Sequence, residues 1–265
     1  MAEGWLKNKS IVIIGGTTGI GLSGAAAFLR EGANVVAIGR NPESVEKASS
    51  VLKGALVNTG DATHPETAQR AIRDCLAHFG SFDGLYHVAG GSGRSFGDGP
   101  LHELTKDGWE YTFNLNLTSL MLSNQAAVTA FLKHRTSGAI LNISSVLGYS
   151  PSPRHFATHA YAAAKAAAIG FTRSIASYYA MDDIRINLIA PGLIETPMAK
   201  RAATDDAILS FIKTKQPLAG GRMGSPDYLD GAAIYFLSDY SKFTTGQILS
   251  IDGGWNLSEG QYKTT

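Results

Sequence analysis

Short apolar runs rich in β-branched residues recur along the chain, each followed by a stretch with helical spacing of its apolar positions. The first run, Ile11-Val12-Ile13-Ile14, is stopped by Gly15-Gly16. With no polar alternation, it predicts a strand buried on both faces. A helix over residues 20–30, a strand over 34–38, a helix over 42–52 and a strand over 55–58 follow. The rhythm continues with a helix at 65–79, a strand at 84–88, a long helical stretch at 106–133 and a strand at 139–143. A helix from about 159 to 181, a strand at 185–190 and a last strand at 247–251 complete it. Such alternation predicts an α/β fold, a doubly wound parallel sheet with crossover helices on both faces. No linker, low-complexity tract or repeat divides residues 1–265, so one domain is expected.

Two segments break the rhythm, 90–100, rich in Gly and Ser, and 193–224. Both begin at carboxyl ends of strands, where open α/β sheets bind ligands. They are expected to wall a binding site, the second as a mobile lid.

Composition narrows the function classes. The hydrophobic content of 44% supports a sizeable core. A formal net charge of +1 argues against a nucleic-acid or anionic-membrane partner. The one cysteine, Cys75, excludes an internal disulfide framework and a Cys-rich metal site. No apolar run spans a bilayer and the N-terminus lacks a signal-peptide core, so a cytoplasmic protein is expected. His155 and His159 stand four apart without a third ligand, so no metal is expected.

Gly15-Gly16-Thr17-Thr18-Gly19-Ile20-Gly21 follows the first strand and opens a helix. Glycines there let the backbone approach a pyrophosphate, and the helix N-terminus offers free N–H groups and a positive dipole end. After the second strand, Gly39-Arg40 supplies no carboxylate for ribose hydroxyls, whereas Arg40 can pair with a 2′-phosphate. NADP(H) is therefore expected over NAD(H), a solvated arginine being the plainer alternative. Asp61 is a candidate for an adenine contact through side chain or backbone, a cap of the next helix or turn being the plainer alternative. Tyr161 and Lys165, four apart on a helix, share one face. An ammonium beside a phenol favours the phenolate and would lower its pKa from about 10.

Glycine loop, Tyr161-x-x-x-Lys165, Ser144-Ser145 after the fifth strand and Pro191-Gly192 after the sixth together resemble the short-chain dehydrogenase/reductase family. The resemblance spans about residues 10–255 and implies a single-domain Rossmann-type oxidoreductase using NAD(H) or NADP(H), commonly a homotetramer. It implies that Ser145 polarises the substrate oxygen and that Tyr161 is the acid in reduction. It also implies that Lys165 binds the nicotinamide ribose and steadies tyrosinate. Asn116 matches the helix asparagine that holds a water in the proton relay, with Asn114 as the nearby alternative. Ala89-Gly90 matches the end of the fourth-strand motif and is expected at the cofactor. In Pro191-Gly192-Leu193-Ile194-Glu195-Thr196, the threonine and the Ile194 backbone are expected to meet the nicotinamide carboxamide. Phe236, Leu237 and the tail Asp252-Gly253-Gly254-Trp255 resemble tetramer contacts of the family.

The chain departs from the family pattern at three places. Ile14 stands where threonine is usual, and His87-Val88-Ala89-Gly90 stands for Asn-Asn-Ala-Gly. Ile14 and Val88 replacing polar groups together suggests a buried network exchanged for apolar packing, which is nearly neutral when both partners change. The stretch from Ser145 to Tyr161 is longer than usual, and its extra residues fall in 148–158, a third expected substrate loop. The expected partner is a small carbonyl or alcohol substrate. A 3-oxoacyl-thioester reductase and a non-catalytic dinucleotide-sensing regulator are the alternatives. Arg94 and Arg154 are candidates to face the cleft and favour an acidic or polar substrate, solvated loop arginines being the plainer alternative, and Phe96, Tyr149 and Phe156 to line an apolar pocket.

Overall fold

The computed structural model describes residues 4–259. Seven strands form one parallel sheet in the order β3-β2-β1-β4-β5-β6-β7. They are β1 (Ser10–Ile14), β2 (Asn34–Gly39), β3 (Leu56–Thr59), β4 (Gly84–His87), β5 (Gly138–Ile143), β6 (Ile184–Pro191) and β7 (Ile248–Ile251). Every residue of β1 and β4 is buried, as continuous apolar runs flanked by strands on both sides require.

Helices cover both faces, and the strand periodicity of two separates their cores. On one face α1 (Gly19–Arg30), α2 (Pro42–Val51) and α9 (Asp230–Leu237) pack Phe28, Ala48 and Phe236 against Ile11, Ile13 and Val35. On the other, α3 (Pro65–Phe79), α5 (Ser119–His134) and α6 (His159–Tyr179) pack Ile72, Phe131 and Ala176 against Val12, Ile14 and Ile140. Cys75 belongs to this second core, where burial pushes its thiol up to about 12. The expected helix over 106–133 is real but interrupted: α4 (Lys106–Phe113) runs into a π-helical turn at Asn114–Thr118 before α5. Segment 193–224 holds two helices that periodicity did not reveal, α7 (Lys200–Ala203) and α8 (Asp206–Lys215).

The strand order reverses between β1 and β4, because β2 and β3 lie on one side of β1 while β4 to β7 lie on the other. The crevice outside the carboxyl ends of these two strands is the place such a sheet offers a ligand. Among the described residues no helix is long and apolar enough to cross a membrane.

The expected subunit contacts require correction. Phe236, Leu237 and Trp255 are each less than 5% exposed within the chain itself. Phe236 and Leu237 fill the α1–α9 core, and Trp255 packs with Ile208 and Ile212 of α8. These side chains are spent on the fold and present no surface to a second copy.

Candidate active site

A cleft of about 300 Å³ opens at the β1–β4 reversal point. Its floor is Gly15 after β1, Ala89 and Gly90 after β4, Ser144 and Ser145 after β5, and Pro191 and Gly192 after β6. Gly15 has φ +91°, and a Cβ there would stand 2.6 Å from the Ala89 backbone nitrogen. The turn therefore admits only glycine, and it brings the ends of β1 and β4 together. Gly21 lies against the Gly15 carbonyl, seating α1 under the turn. Thr18, Gly19 and Ile20 line the cleft, and the Thr18 side chain makes no cap bond to the start of α1. The first N–H groups of α1 are left for an external acceptor.

The remaining expected cofactor residues divide by position. Ile194 and Thr196 line the cleft. Thr17 does not: it is buried over Gly39, its hydroxyl 3.1 Å from that of Ser44. Arg40 is exposed beyond β2, outside the cleft, close to Asp61. The Asp61 carboxylate accepts hydrogen bonds from the Thr63 amide at 2.9 Å and hydroxyl at 2.8 Å. Burial raises its pKa, but those bonds and the Arg40 charge outweigh burial and hold it below the usual value. The carboxylate is thus engaged as a turn cap, the plainer of its two expected roles.

The chemistry-bearing helix is α6. Ala160, Ala164 and Ala168 form a fully buried i,i+4 stripe, so the helix seats closely in the protein. Tyr161 and Lys165 follow one step round and both reach the cleft. A residue that sequence reasoning missed fixes the start of α6. Asp98, in the 90–100 loop and 2% exposed, accepts from the Ala160 amide at 2.9 Å and the Tyr161 amide at 3.0 Å. It satisfies two orphan donors and matches the positive end of the helix dipole.

Lys165 Nζ donates to the Ile143 carbonyl at 3.2 Å and lies 5.5 Å from the Tyr161 ring centroid. Burial brings its pKa down to about 8. The expected lowering of the Tyr161 pKa is not what the geometry produces. Burial pushes Tyr161 up to about 12, while the neighbouring Ser145 hydroxyl pulls the other way. Desolvation of the phenolate wins, and Tyr161 is a protonated phenol at neutral pH. Ser145 Oγ accepts from the Leu147 amide at 3.2 Å, so its own O–H remains available to donate. Ser144 instead donates to the Lys165 carbonyl at 2.7 Å, which ties the end of β5 to α6.

Asn116 sits in the π-helical turn, fully buried. Its Nδ2 donates to the carbonyls of Gly91 (2.8 Å) and Thr112 (2.9 Å), and its Oδ1 accepts from the Gly91 amide (3.0 Å). A Cβ on Gly90 would stand 2.8 Å from Asn116 Oδ1 and 3.3 Å from Lys165 Nζ. Asn116 thus clamps the strand-end loop against Lys165 instead of lining the cleft.

His87 corrects the expected exchange of polar for apolar packing. The strand register pairs Ile14 with His87, and Val88 turns to the cleft. The His87 ring is fully buried, and neither nitrogen has a hydrogen-bond partner. Burial, reinforced by the Lys165 charge and only partly opposed by the Ala89 backbone, brings its pKa down to about 3. Beside the apolar Ile14 and Val88 the protein therefore keeps one buried polar ring.

The outer walls come from all three expected loops. Arg94, Leu147, Phe156, Met198, Arg201 and Trp255 line the cleft, whereas Arg154, Phe96 and Tyr149 do not. Trp255 closes one side, with Nε1 donating to the Ser150 carbonyl at 3.2 Å and its ring against Phe211 and Phe156. Gln216, buried after α8, pairs with both the amide and the carbonyl of Leu193 and secures the root of segment 193–224. Among the lining residues are three cations, Arg94, Lys165 and Arg201, and no carboxylate.

Comparison with known proteins agrees with this geometry. A family model described as Enoyl-(Acyl carrier protein) reductase matches residues 15–256. The 3-oxoacyl-[acyl-carrier-protein] reductase FabG of Chlamydia trachomatis is 36% identical, over 95% of this chain and 99% of the relative. The chain belongs to the short-chain dehydrogenase/reductase family. The 2,5-dichloro-2,5-cyclohexadiene-1,4-diol dehydrogenase of Sphingobium indicum is 32% identical, over 94% of this chain and 98% of its own. A solved short-chain type dehydrogenase/reductase from Mycobacterium ulcerans superposes with a TM-score of 0.85 at 27% identity, covering 96% of this chain and 91% of that one. As a short-chain dehydrogenase/reductase, the protein is an oxidoreductase acting on CH–OH groups with a nicotinamide dinucleotide. The residues present fit that cofactor: an uncapped helix N-terminus at a glycine turn suits a pyrophosphate, in a cleft whose lining residues include cations and no carboxylate.

Proposed function

We propose that this enzyme reduces a carbonyl group with NADPH, Tyr161 acting as the proton donor, and catalyses the reverse oxidation with NADP+. The observation that carries the reading is the meeting of Ser145 and Tyr161 in one cleft whose far end is the uncapped start of α1. Gly15, Thr18, Gly19 and Ile20 would hold the cofactor pyrophosphate, Lys165 the nicotinamide ribose, and Ile194 and Thr196 the carboxamide. Arg40, with Gly39 offering no competing carboxylate, would read the 2′-phosphate. When bound, the reduced nicotinamide supplies the hydride.

The protein supplies the proton and the electrostatics. Tyr161 starts protonated because burial disfavours phenolate, and it gives up its proton to the alkoxide that forms on the substrate oxygen. Ser145, whose Oγ accepts from the Leu147 amide, would turn its own O–H from Tyr161 to that oxygen as a second donor. The Lys165 ammonium stabilises the tyrosinate left behind. The three polar contacts of the Asn116 amide leave a spare Oδ1 lone pair that would hold a relay water.

The test is NADPH oxidation across aldehydes, cyclic ketones, sugars and 3-oxoacyl thioesters, with a 2-enoyl thioester included. The expected result is carbonyl turnover with NADPH favoured over NADH. Cofactor binding without turnover of any carbonyl would overturn the reading. A 3-oxoacyl-thioester reductase is the second reading, favoured by the Chlamydia trachomatis relative. It requires the thioesters to exceed the simple ketones in kcat/KM. Assembly as a homotetramer belongs to the same proposal, and sedimentation tests it.

A further inference from the structure

Two arginines, Arg94 and Arg201, line the cleft, and neither the glycine loop nor the Tyr161 chemistry uses them. Arg94 rises from the short turn Arg94–Phe96 after β4, and Arg201 projects from α7 on the opposite loop. Both share the cleft lining with Ser145 and Tyr161. Arg201 is anchored. Its Nη2 donates to the His155 carbonyl at 3.0 Å, its Nη1 lies 3.8 Å from Asp205, and its guanidinium covers the Phe156 ring at 5.9 Å. Arg94 is not: its backbone N–H donates to Ser92 Oγ, but no described residue hydrogen-bonds or ion-pairs with its guanidinium.

Their charges oppose one another. Burial, then the Arg201 charge, works against the protonated form of Arg94, and Asp98 alone works for it. Both Asp98 oxygens already accept from the first amides of α6. Arg201 keeps Asp205 beside it, whereas the Arg94 guanidinium has no such partner, and no carboxylate is among the lining residues, so an anion between the two arginines would gain both charges. A planar guanidinium pair suits an oxyanion, which it can bind by parallel N–H···O bonds.

We propose that Arg94 and Arg201 form a subsite for a small oxyanion, a carboxylate, sulfonate or phosphate, carried on the substrate a few atoms from the reacting carbonyl. Leu147, Phe156 and Trp255 would cover the carbon skeleton between the two ends. The inference rests on reading Ser145 and Tyr161 as the carbonyl site, and it narrows the substrate class to keto acids and their equivalents.

The experiment has a turnover arm and a binding arm. In the first, NADPH-dependent reduction of 3-benzoylpropionate is compared with that of its methyl ester. The acid is expected to lead in kcat/KM by about tenfold or more, the effect of one charged hydrogen-bonded contact, and the lead to collapse in the Arg94→Gln/Arg201→Gln protein. In the second, calorimetry on protein saturated with NADP+ compares 4-phenylbutyrate with 4-phenylbutanamide, neither of which can be reduced. The carboxylate is expected to bind about tenfold more tightly, and the preference to vanish in the double variant. Turnover without any acid preference in either arm would overturn the subsite and leave the reductase reading standing. A carboxylate preference in binding without turnover of either ketone would uphold the subsite, and the reductase reading would then fall only if no carbonyl of the wider panel is turned over. A third comparison separates a distant anion from this one: a preference for 3-oxobutyryl thioesters of pantetheine 4′-phosphate over those of pantetheine, with none among keto acids, would place the anion along a carrier arm and overturn the subsite.

Discussion

Replacing His87 with asparagine should make the protein more resistant to acid. The imidazole is fully buried beside Ile14, neither nitrogen has a hydrogen bond of good geometry, and burial and the Lys165 charge outweigh the Ala89 backbone beside it. Its pKa falls from an unfolded value of about 6.5 to about 3 in the fold. Between those values the unfolded chain binds a proton that the native chain refuses, so stability falls as pH drops below about 6.5 and is unaffected above it. At pH 5 the gap is about 1.5 units, which at ~1.36 kcal/mol per unit amounts to about 2 kcal/mol. Asparagine does not titrate and abolishes this loss. Urea unfolding of both proteins at pH 7.5 and pH 5, at one protein concentration, gives four free energies. The wild-type loss between the two pH values should exceed the variant loss by about 2 kcal/mol. Any pH-independent effect of the substitution cancels in that difference, as do the other titrating groups. Equal losses would mean that His87 is protonated as easily in the fold as out of it, and the account of an orphaned neutral ring would be wrong.

Other expectations follow from the site. Tyr161→Phe should reduce kcat by roughly 100- to 10,000-fold, the range of a lost general acid, while the cofactor Kd stays within about twofold. Retention of most activity would remove Tyr161 from the proton-donor role. Arg40→Ala should weaken NADPH by roughly 1.5–3 kcal/mol and NADH by much less, measured by fluorescence titration; equal losses would show that the arginine does not read the phosphate. Asp98→Ala removes a buried helix cap and should cost about 1–2 kcal/mol in urea unfolding, with kcat falling because the Tyr161 backbone loses its anchor. An unchanged kcat would limit Asp98 to a structural part.

Much of the fold was legible because parallel strands buried on both faces write themselves as unbroken apolar runs. The predicted strands fall within a residue of those observed at most ends, and helix α3 matches its predicted span. The π-helical turn was not legible, since Asn114–Thr118 carries no breaker and keeps the helical spacing. Helices α7 and α8 escaped because short helices over a cleft bury only a narrow face, here Ala202, Ile208 and Ile212. The subunit contacts were misassigned for a related reason: an apolar residue looks the same in sequence whether it covers a neighbour or fills its own core, and Phe236 and Leu237 fill the core.

By itself the sequence determined the α/β alternation, the glycine turn after β1, and the Tyr161–Lys165 face, because each depends on contacts within a few residues. Tertiary structure alone decided what those residues do to each other. Burial, and not the adjacent ammonium, governs the Tyr161 phenol, and desolvation depends on every neighbour packed round it. Asp98 caps α6 from 62 residues away, and the register of β1 against β4 places Ile14 beside His87. Arg94 and Arg201, more than a hundred residues apart, line one cleft only because the loops after β4 and β6 rise from the same edge of one sheet.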